Sequence, residues 1–370
     1  MLVHELKEGV GIPMNGHERF LRTINFQEPD RVITYDLLGN SELIERYGGS
    51  GTAIEKNAQV MRTLGIDVTR GIYDPDRHWL EDKVDLWKRH YGLDPDGWKV
   101  TPQGGTSWIS QRPFNDLEGL KRNMPQMPKK KEMAEWYVPT LKEIKRVFGE
   151  DLVFIGATEG PVTDAFDYTG TTLFCELIYD APDIVEQLLD VTTLWARNLA
   201  ELYVENAIGP AFFICDDIAY KTGTIFSPKW LREHVYDRWK YIYEPAKKAG
   251  FKCFYHSDGD LMGVLDELVN YVEIDGLNPL EPLAGMDPKV IRDRYPDLII
   301  LGNIDSSTVL AHGTPREVEE SVKKLIQDIA PSGGLCAGSS TEIHEGIPVE
   351  NVHALYEAIK RWGRYPITIN

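Results

Sequence analysis

Apolar residues recur along the chain in two rhythms. Eight short runs rich in β-branched and aromatic residues punctuate it: VITYDL (32–37), DVTRGIY (67–73), LVFIGAT (152–158), AFFICDD (211–217), KCFYHS (252–257), IDGLNP (274–279), LIILGNID (298–305) and LCAGSS (335–340). Several are nearly continuous, the pattern of parallel strands covered on both faces. Between them the apolar period lengthens to that of helices. Residues 181–206 place Ile184, Leu188, Leu189, Val191, Leu194, Leu199 and Leu202 largely on one stripe, with Pro182 in the first turn. Residues 227–250 open on Ser227 and Pro228 and stop at Gly250; 314–330 and 347–363 repeat the pattern.

Eight strands alternating with helices predict an α/β fold, a (β/α)8 TIM barrel forming a single domain over 15–370, with residues 1–14 as an N-terminal arm. Such a barrel needs about 250 residues, and the excess falls in 75–151, an insertion between the second and third strands. It carries Trp79, Trp87, Trp98 and Trp108, and its latter part reads as a helix. Following a strand, it belongs at the open rim as a lid or pocket wall; alternatively the tryptophans give a small subdomain its core.

Composition narrows the function. The 370 residues carry 58 acidic against 40 basic side chains, a formal charge of −18. That balance disfavours nucleic acid and anionic membranes as partners. The first residues mix charges with Gly and Pro, and no apolar run reaches the ~18 residues of a membrane span, so a cytoplasmic location is expected. Cys175, Cys215, Cys253 and Cys336 lack the spacing of a zinc ribbon or disulfide framework, which leaves reduced thiols. GxxxxGK[ST] and GxSxG are absent.

The strand ends are unusually polar, and in barrels these ends line the active site. They supply Asp36 and Asn40; Thr158 and Glu159; Asp216 and Asp217; His256, Ser257 and Asp258; Asn278 and Glu281; Asn303 and Asp305; and Ser339, Ser340, Thr341 and Glu342. Arg and Lys do not figure among them. His256 and Asp258, two apart on an extended strand, project to the same side. Imidazole and carboxylate suit Zn²⁺, whose catalytic sites take three protein ligands and keep an open position. Glu342 is the preferred third ligand, with Glu159, Asp217 and Cys215 behind it. A structural reading competes: His256 bonded to a neighbouring strand end, and Asp258 capping a helix near Leu261.

From residue 17 onward the chain resembles the uroporphyrinogen decarboxylase superfamily. The resemblance rests on NGHERFLRTINFQEPDRV (15–32), on ICDDIAYKTGTIFSPKWLREHVYDRWKYIYEPAKKAGFKCFYHSDGD (214–260), and on GLNPLEPLAGMDPKVIRDRYPDLIILGNID (276–305) with SSTEIHEGIPVENVHAL (339–355). The superfamily's decarboxylases carry an arginine-rich element like RQAGRY after the first strand, where this chain reads DLLGNSELIERYGG (36–49). A polyanionic tetrapyrrole is therefore poorly matched. Its corrinoid-linked methyltransferases that serve coenzyme M hold zinc with HxC and a later Cys. Here those positions read His256-Ser257-Asp258 and Thr341, next to Glu342.

Oxygen donors in place of thiolates make a metal harder and better at polarising an oxygen. That fits a third branch, the methyltransferase components of O-demethylase systems, which move an ether methyl onto Co(I) of a separate corrinoid protein. A phenolate leaves poorly, its conjugate acid having a pKa of ~10. A metal can lower an oxygen's proton affinity by up to ~9 units, on the scale of roughly 10 kcal/mol, of which an ether would receive part. The resemblance thus implies a methyltransferase acting on a small methoxylated, aromatic compound, with zinc as cofactor, a corrinoid protein as partner and a homodimer left open. It implies His256, Asp258 and Glu342 as metal ligands and Asp217, Glu159 and Asp36 as catalytic groups. Tyr73, Tyr168, Asn278 and Asn303 would bind substrate. Two alternatives stand: a metal-free decarboxylase of a smaller acid acting through Asp36 or Asp217, which Arg or Lys at the rim would favour, and a non-catalytic corrinoid- or aromatic-binding barrel.

Overall fold

Each of the eight apolar segments forms a strand in the computed structural model, which describes residues 14–76, 79–90, 97–103 and 106–368. The strands are β1 (Ile33–Thr34), β2 (Val68–Thr69), β3 (Val153–Phe154, continuing after Ile155 as Gly156–Glu159), β4 (Ala211–Cys215), β5 (Lys252–His256), β6 (Gly276–Asn278), β7 (Ile299–Ile304) and β8 (Leu335–Ser339). Seven of them make one curled parallel sheet in the order β1-β8-β7-β6-β5-β4-β3, joined through the second part of β3. β2 pairs in parallel with the first part of β3, and Tyr35, just past β1, bridges Val68 of β2. Every strand therefore has a parallel neighbour on both sides. The expected arm, 1–14, lies outside the described residues except for Met14.

The strands bury both faces. On one face Ile33, Tyr35, Val68, Val153, Ile155, Ala211, Phe213, Phe254, Ile299 and Leu301 form a cluster closed by Phe20 and Ile24 of the helix Gly16–Ile24. On the other, Phe212, Ile214, Cys253, Tyr255 and Ile300 pack with the helices. This alternation is the period-two geometry of strands. Followed past the strand ends, the inner rows lead from Val68 to Arg70, from Ala157 to Glu159, from Phe213 to Cys215 and Asp217, and from Phe254 to His256 and Asp258.

Helices Pro182–Glu205, Pro315–Ile329 and Val349–Trp362 lie where the 3.6 period predicts them. The stretch 227–250 is two helices rather than one, Pro228–His234 and Tyr236–Lys248, because Val235 leaves helical geometry between them. Between β2 and β3 come helix Trp79–His90, an antiparallel hairpin (Lys99–Gln103 with Thr106–Gln111), and helices Leu117–Arg122 and Lys130–Phe148. Trp87 is buried and packs edge-on against Trp98 and Tyr168, with Phe114 completing the cluster. Trp108 is exposed. Two of the four tryptophans thus serve as core, and Trp79's side chain lies outside the described residues.

Candidate active site

The stretch from His256 to Asp260 leaves β5 in a tight turn. Gly259 has φ +88°, and a Cβ there would lie 2.7 Å from the Tyr220 carbonyl oxygen, so only glycine fits. Gly259 N donates to Glu281 (2.7 Å) and Asp260 N to the Tyr220 carbonyl (2.9 Å), which pins the turn to its neighbours. It is Asp260, through Met262 N (2.8 Å), and not Asp258, that accepts from the following turn.

In register, His256 of β5 stands beside Cys215 of β4 and Asn278 of β6. This brings Asp217, His256 and Asp258 together, with one ligand atom from each within 4.8 Å of the others. Asp258 N donates to Asp217 Oδ1 (3.2 Å), while Asp258 Oδ1 is buried without a hydrogen-bond partner among the described residues. Glu342 is not in this group. β5 lies next to β4 and β6, whereas Glu342 follows β8, three strands away, so the third carboxylate beside His256 and Asp258 is Asp217.

Asn278 decides the histidine's proton. Its Nδ2 donates to the carbonyls of Leu301 (3.0 Å) and Ser340 (2.9 Å), which turns Oδ1 toward His256 Nδ1 at 2.8 Å. Nδ1 must then carry the hydrogen, and the lone pair sits on Nε2. Burial and the Arg70 charge lower the imidazole's pKa to about 4, so it is neutral at physiological pH. A neutral imidazole with its second nitrogen anchored is the form a metal takes. Burial, with the charges of Asp217 and Glu281, raises Asp258 to about 7. An orphaned, buried carboxylate oxygen beside a neutral imidazole and a second carboxylate fits a divalent cation held by three protein ligands. Cys215, beside His256 in register, is not part of this cluster, and burial pushes its thiol up to about 12.

Contrary to the expectation that the strand ends lack a cation, Arg70 supplies one. It follows β2 on the inner row. Its Nε donates to Tyr35 Oη (2.9 Å), Nη1 reaches Cys215 Sγ (3.5 Å), and Nη2 lies 3.4 Å from His256 Nδ1. A second cation comes from the chain between β2 and β3: Lys83 pairs with Asp164 and Asp167, each at 2.8 Å. Period-two counting from Val68 would have found Arg70; nothing local marks Lys83.

The remaining predicted residues divide. Glu159 ends β3 opposite Cys215, and burial, opposed by Lys83 but reinforced by Asp164 and Asp217, raises it to about 8. Asp36 is buried and occupied: it accepts from Ser339 N (2.9 Å), Ser339 Oγ (2.5 Å) and Tyr356 Oη (2.6 Å), so it holds β1 to β8 and the last helix rather than facing substrate. Asp216 is likewise structural, accepting from Thr163 N (2.7 Å) and Trp239 Nε1 (2.8 Å) at a helix start. Tyr168 belongs to the aromatic cluster and donates to the Asn123 carbonyl (2.6 Å). Tyr73 donates to Glu345 (2.7 Å). Asn303 Oδ1 accepts from Leu280 N (2.8 Å), and its buried Nδ2 has no partner among the described residues. Asn278 orients His256 instead of facing a ligand.

A parallel α/β fold with a carboxylate–imidazole cluster at the C-terminal strand ends defines the class of protein, and the chain belongs to the uroporphyrinogen decarboxylase (URO-D) family, whose model matches residues 97–362. Among its relatives are two methylcobamide:CoM methyltransferases. MtbA of Methanosarcina acetivorans is 25% identical over 224 residues, 59% of this chain and 63% of that protein. MtaA of Methanosarcina barkeri is 26% identical over 224 residues, 59% and 61% respectively. The chain spans less than two thirds of the length of these relatives. In fold it is similar to a methyltransferase from Methanosarcina mazei, with a TM-score of 0.72 at 20% identity, covering 94% of this chain and 99% of that one. Among the described residues no helix is long and apolar enough to cross a membrane.

Proposed function

We propose that this protein is a corrinoid-dependent methyltransferase that demethylates a small methoxylated aromatic compound and passes the methyl to Co(I) on a partner corrinoid protein. The observation that carries the reading is the Asp217–His256–Asp258 cluster with its unpartnered Asp258 oxygen; the family and the relatives' names supply the chemistry it would serve. The partner's reduced corrinoid would supply the electron pair that accepts the methyl, with the C–O pair staying on oxygen so that phenolate is the leaving group. Zn²⁺, held by Asp217, His256 and Asp258, would supply Lewis acidity to the ether oxygen. Around it the chain's own groups act: Asn278 keeps His256 in one tautomer, and Glu159, protonated at neutral pH, stands as proton donor to the leaving oxygen. The eight-membered cycle of strand neighbours supports a closed (β/α)8 barrel as one domain, with 75–151 as the wall of its open rim. Incubation with methoxyaromatics and a reduced corrinoid protein tests the reading: methylated corrinoid and free phenol are expected, and their absence with fully metallated protein contradicts it.

One observation favours a second reading. Arg70 puts a guanidinium at the rim, as metal-free decarboxylation of a small acid would require. Release of CO2 from such an acid by metal-free protein would establish that alternative.

A further inference from the structure

We propose that the protein carries a second ligand site, for a small aliphatic diamine, on its helical flank and apart from the strand ends. The site does not depend on the methyl-transfer reading. A cavity of about 470 Å³ opens between helix Pro182–Glu205 and the pair Pro228–His234 and Tyr236–Lys248, within the ~300–1,000 Å³ usual for small-molecule sites. Glu186, Asp190 and Thr193 face it from the first helix, at the spacing of a single stripe, and Glu233, Asp237 and Arg238 face it from the other two. All three Arg238 nitrogens are engaged within the wall: Nε donates to the His234 carbonyl (2.9 Å), Nη1 to Asp190 Oδ1 (2.5 Å) and Nη2 to Glu186 Oε2 (2.7 Å). His234 Nδ1 meets the other Glu186 oxygen at 2.5 Å.

What the cavity leaves open is acceptors. Asp190 is held through Oδ1 alone, Asp237 takes Tyr271 Oη on Oδ1 (2.7 Å), and Glu233 meets Lys229 only at 3.8 Å. Four carboxylates around one guanidinium could be no more than a solvated acidic face; Thr193 makes the difference. It is 5% exposed, and its Oγ1 is buried with no hydrogen-bond partner among the described residues, where a buried hydroxyl ordinarily has one. A ligand N–H would supply that partner. The surplus of carboxylates repels anions. The acids do not converge on a point either, since among the described residues the group close enough to hold a metal ion is Asp217, His256 and Asp258. An ammonium brings three donors. Two of them, one at Asp190 and Thr193 and one at Glu233 and Asp237, would serve both walls, with the methylenes between them along Leu194 and Tyr241.

Calorimetric titration with 1,4-diaminobutane, n-butylamine and 1,4-butanediol, in about 0.15 M salt to screen loose counterions, tests the site. The diamine is expected to bind with one-to-one stoichiometry and at least ~10-fold tighter than the monoamine, and the diol not to bind. Thr193→Val, which keeps the shape of the side chain, and Asp190→Asn should each weaken the diamine ~10-fold or more, the loss of one hydrogen bond to a charged group. His256→Ala should leave its affinity unchanged. Far-UV circular dichroism confirms that each variant is folded. Absence of diamine binding, a monoamine or diol that binds as tightly, or an affinity that survives both cavity substitutions overturns the inference. So does loss of binding in His256→Ala, which would put the diamine at the strand ends.

Discussion

Asn278 shows how a residue two bonds removed from the chemistry controls it. With both its amide hydrogens held by carbonyls, it can offer His256 only an acceptor, and Nε2 is left as the nitrogen open to a metal. Asn278→Ala should weaken divalent metal binding by roughly 10–100-fold, the usual cost of losing an outer hydrogen bond. Competition against a chromogenic chelator reads this, and unchanged affinity would refute the assignment. Glu159 gives a pH signature. Its folded value of about 8 lies above the ordinary 4.5, so the folded state holds a proton that the unfolded state releases between those values. Its contribution to stability is full below 4.5 and lost as pH rises through 8. In its proposed role as proton donor it should keep methyl transfer level at neutral pH and let it fall about tenfold per unit above 8. Glu159→Gln should abolish that limb; a rate that stays level through pH 9 in the wild type would show the proton comes from elsewhere. At this scale the sequence was legible where the inner row could be counted, as for His256 and Asp258. It misled where burial was mistaken for exposure to substrate, as at Asp36, and where Arg70 was read as the middle of a strand.

At the scale of elements, the eight strands and most helices were written in their periodicities, because burial on both faces or on one stripe dictates composition directly. Which strand ends meet was not, since that depends on neighbours in space. β5 sits between β4 and β6, and adjacency alone makes Asp217 a nearer partner for Asp258 than Glu342. The seating of the segment between β2 and β3 was also invisible: Lys83 reaches buried Asp164 from a helix with no local mark of that role. Removing one partner of a buried pair leaves the other charge stranded. Lys83→Met should therefore cost about 3–5 kcal/mol at pH 8, less at lower pH, where Asp164, whose pKa burial already raises, takes up a proton. Urea denaturation of the variant at the two pH values provides the check, and a loss below ~1 kcal/mol at pH 8, as for a surface pair, would mean the contact does not anchor the segment.

For the whole molecule, a net charge of −18 and a carboxylate-rich rim leave a cation as the natural occupant of the space between Asp217, His256 and Asp258. The proposed methyl transfer depends on that cation. Metal content by inductively coupled plasma mass spectrometry, on protein loaded with zinc and passed through a desalting column, measures it most directly. The account predicts close to one divalent ion per chain in the wild type and a small fraction of that in His256→Ala of the same folded content. Wild type that retains no metal, or a His256→Ala protein that retains as much, would contradict it.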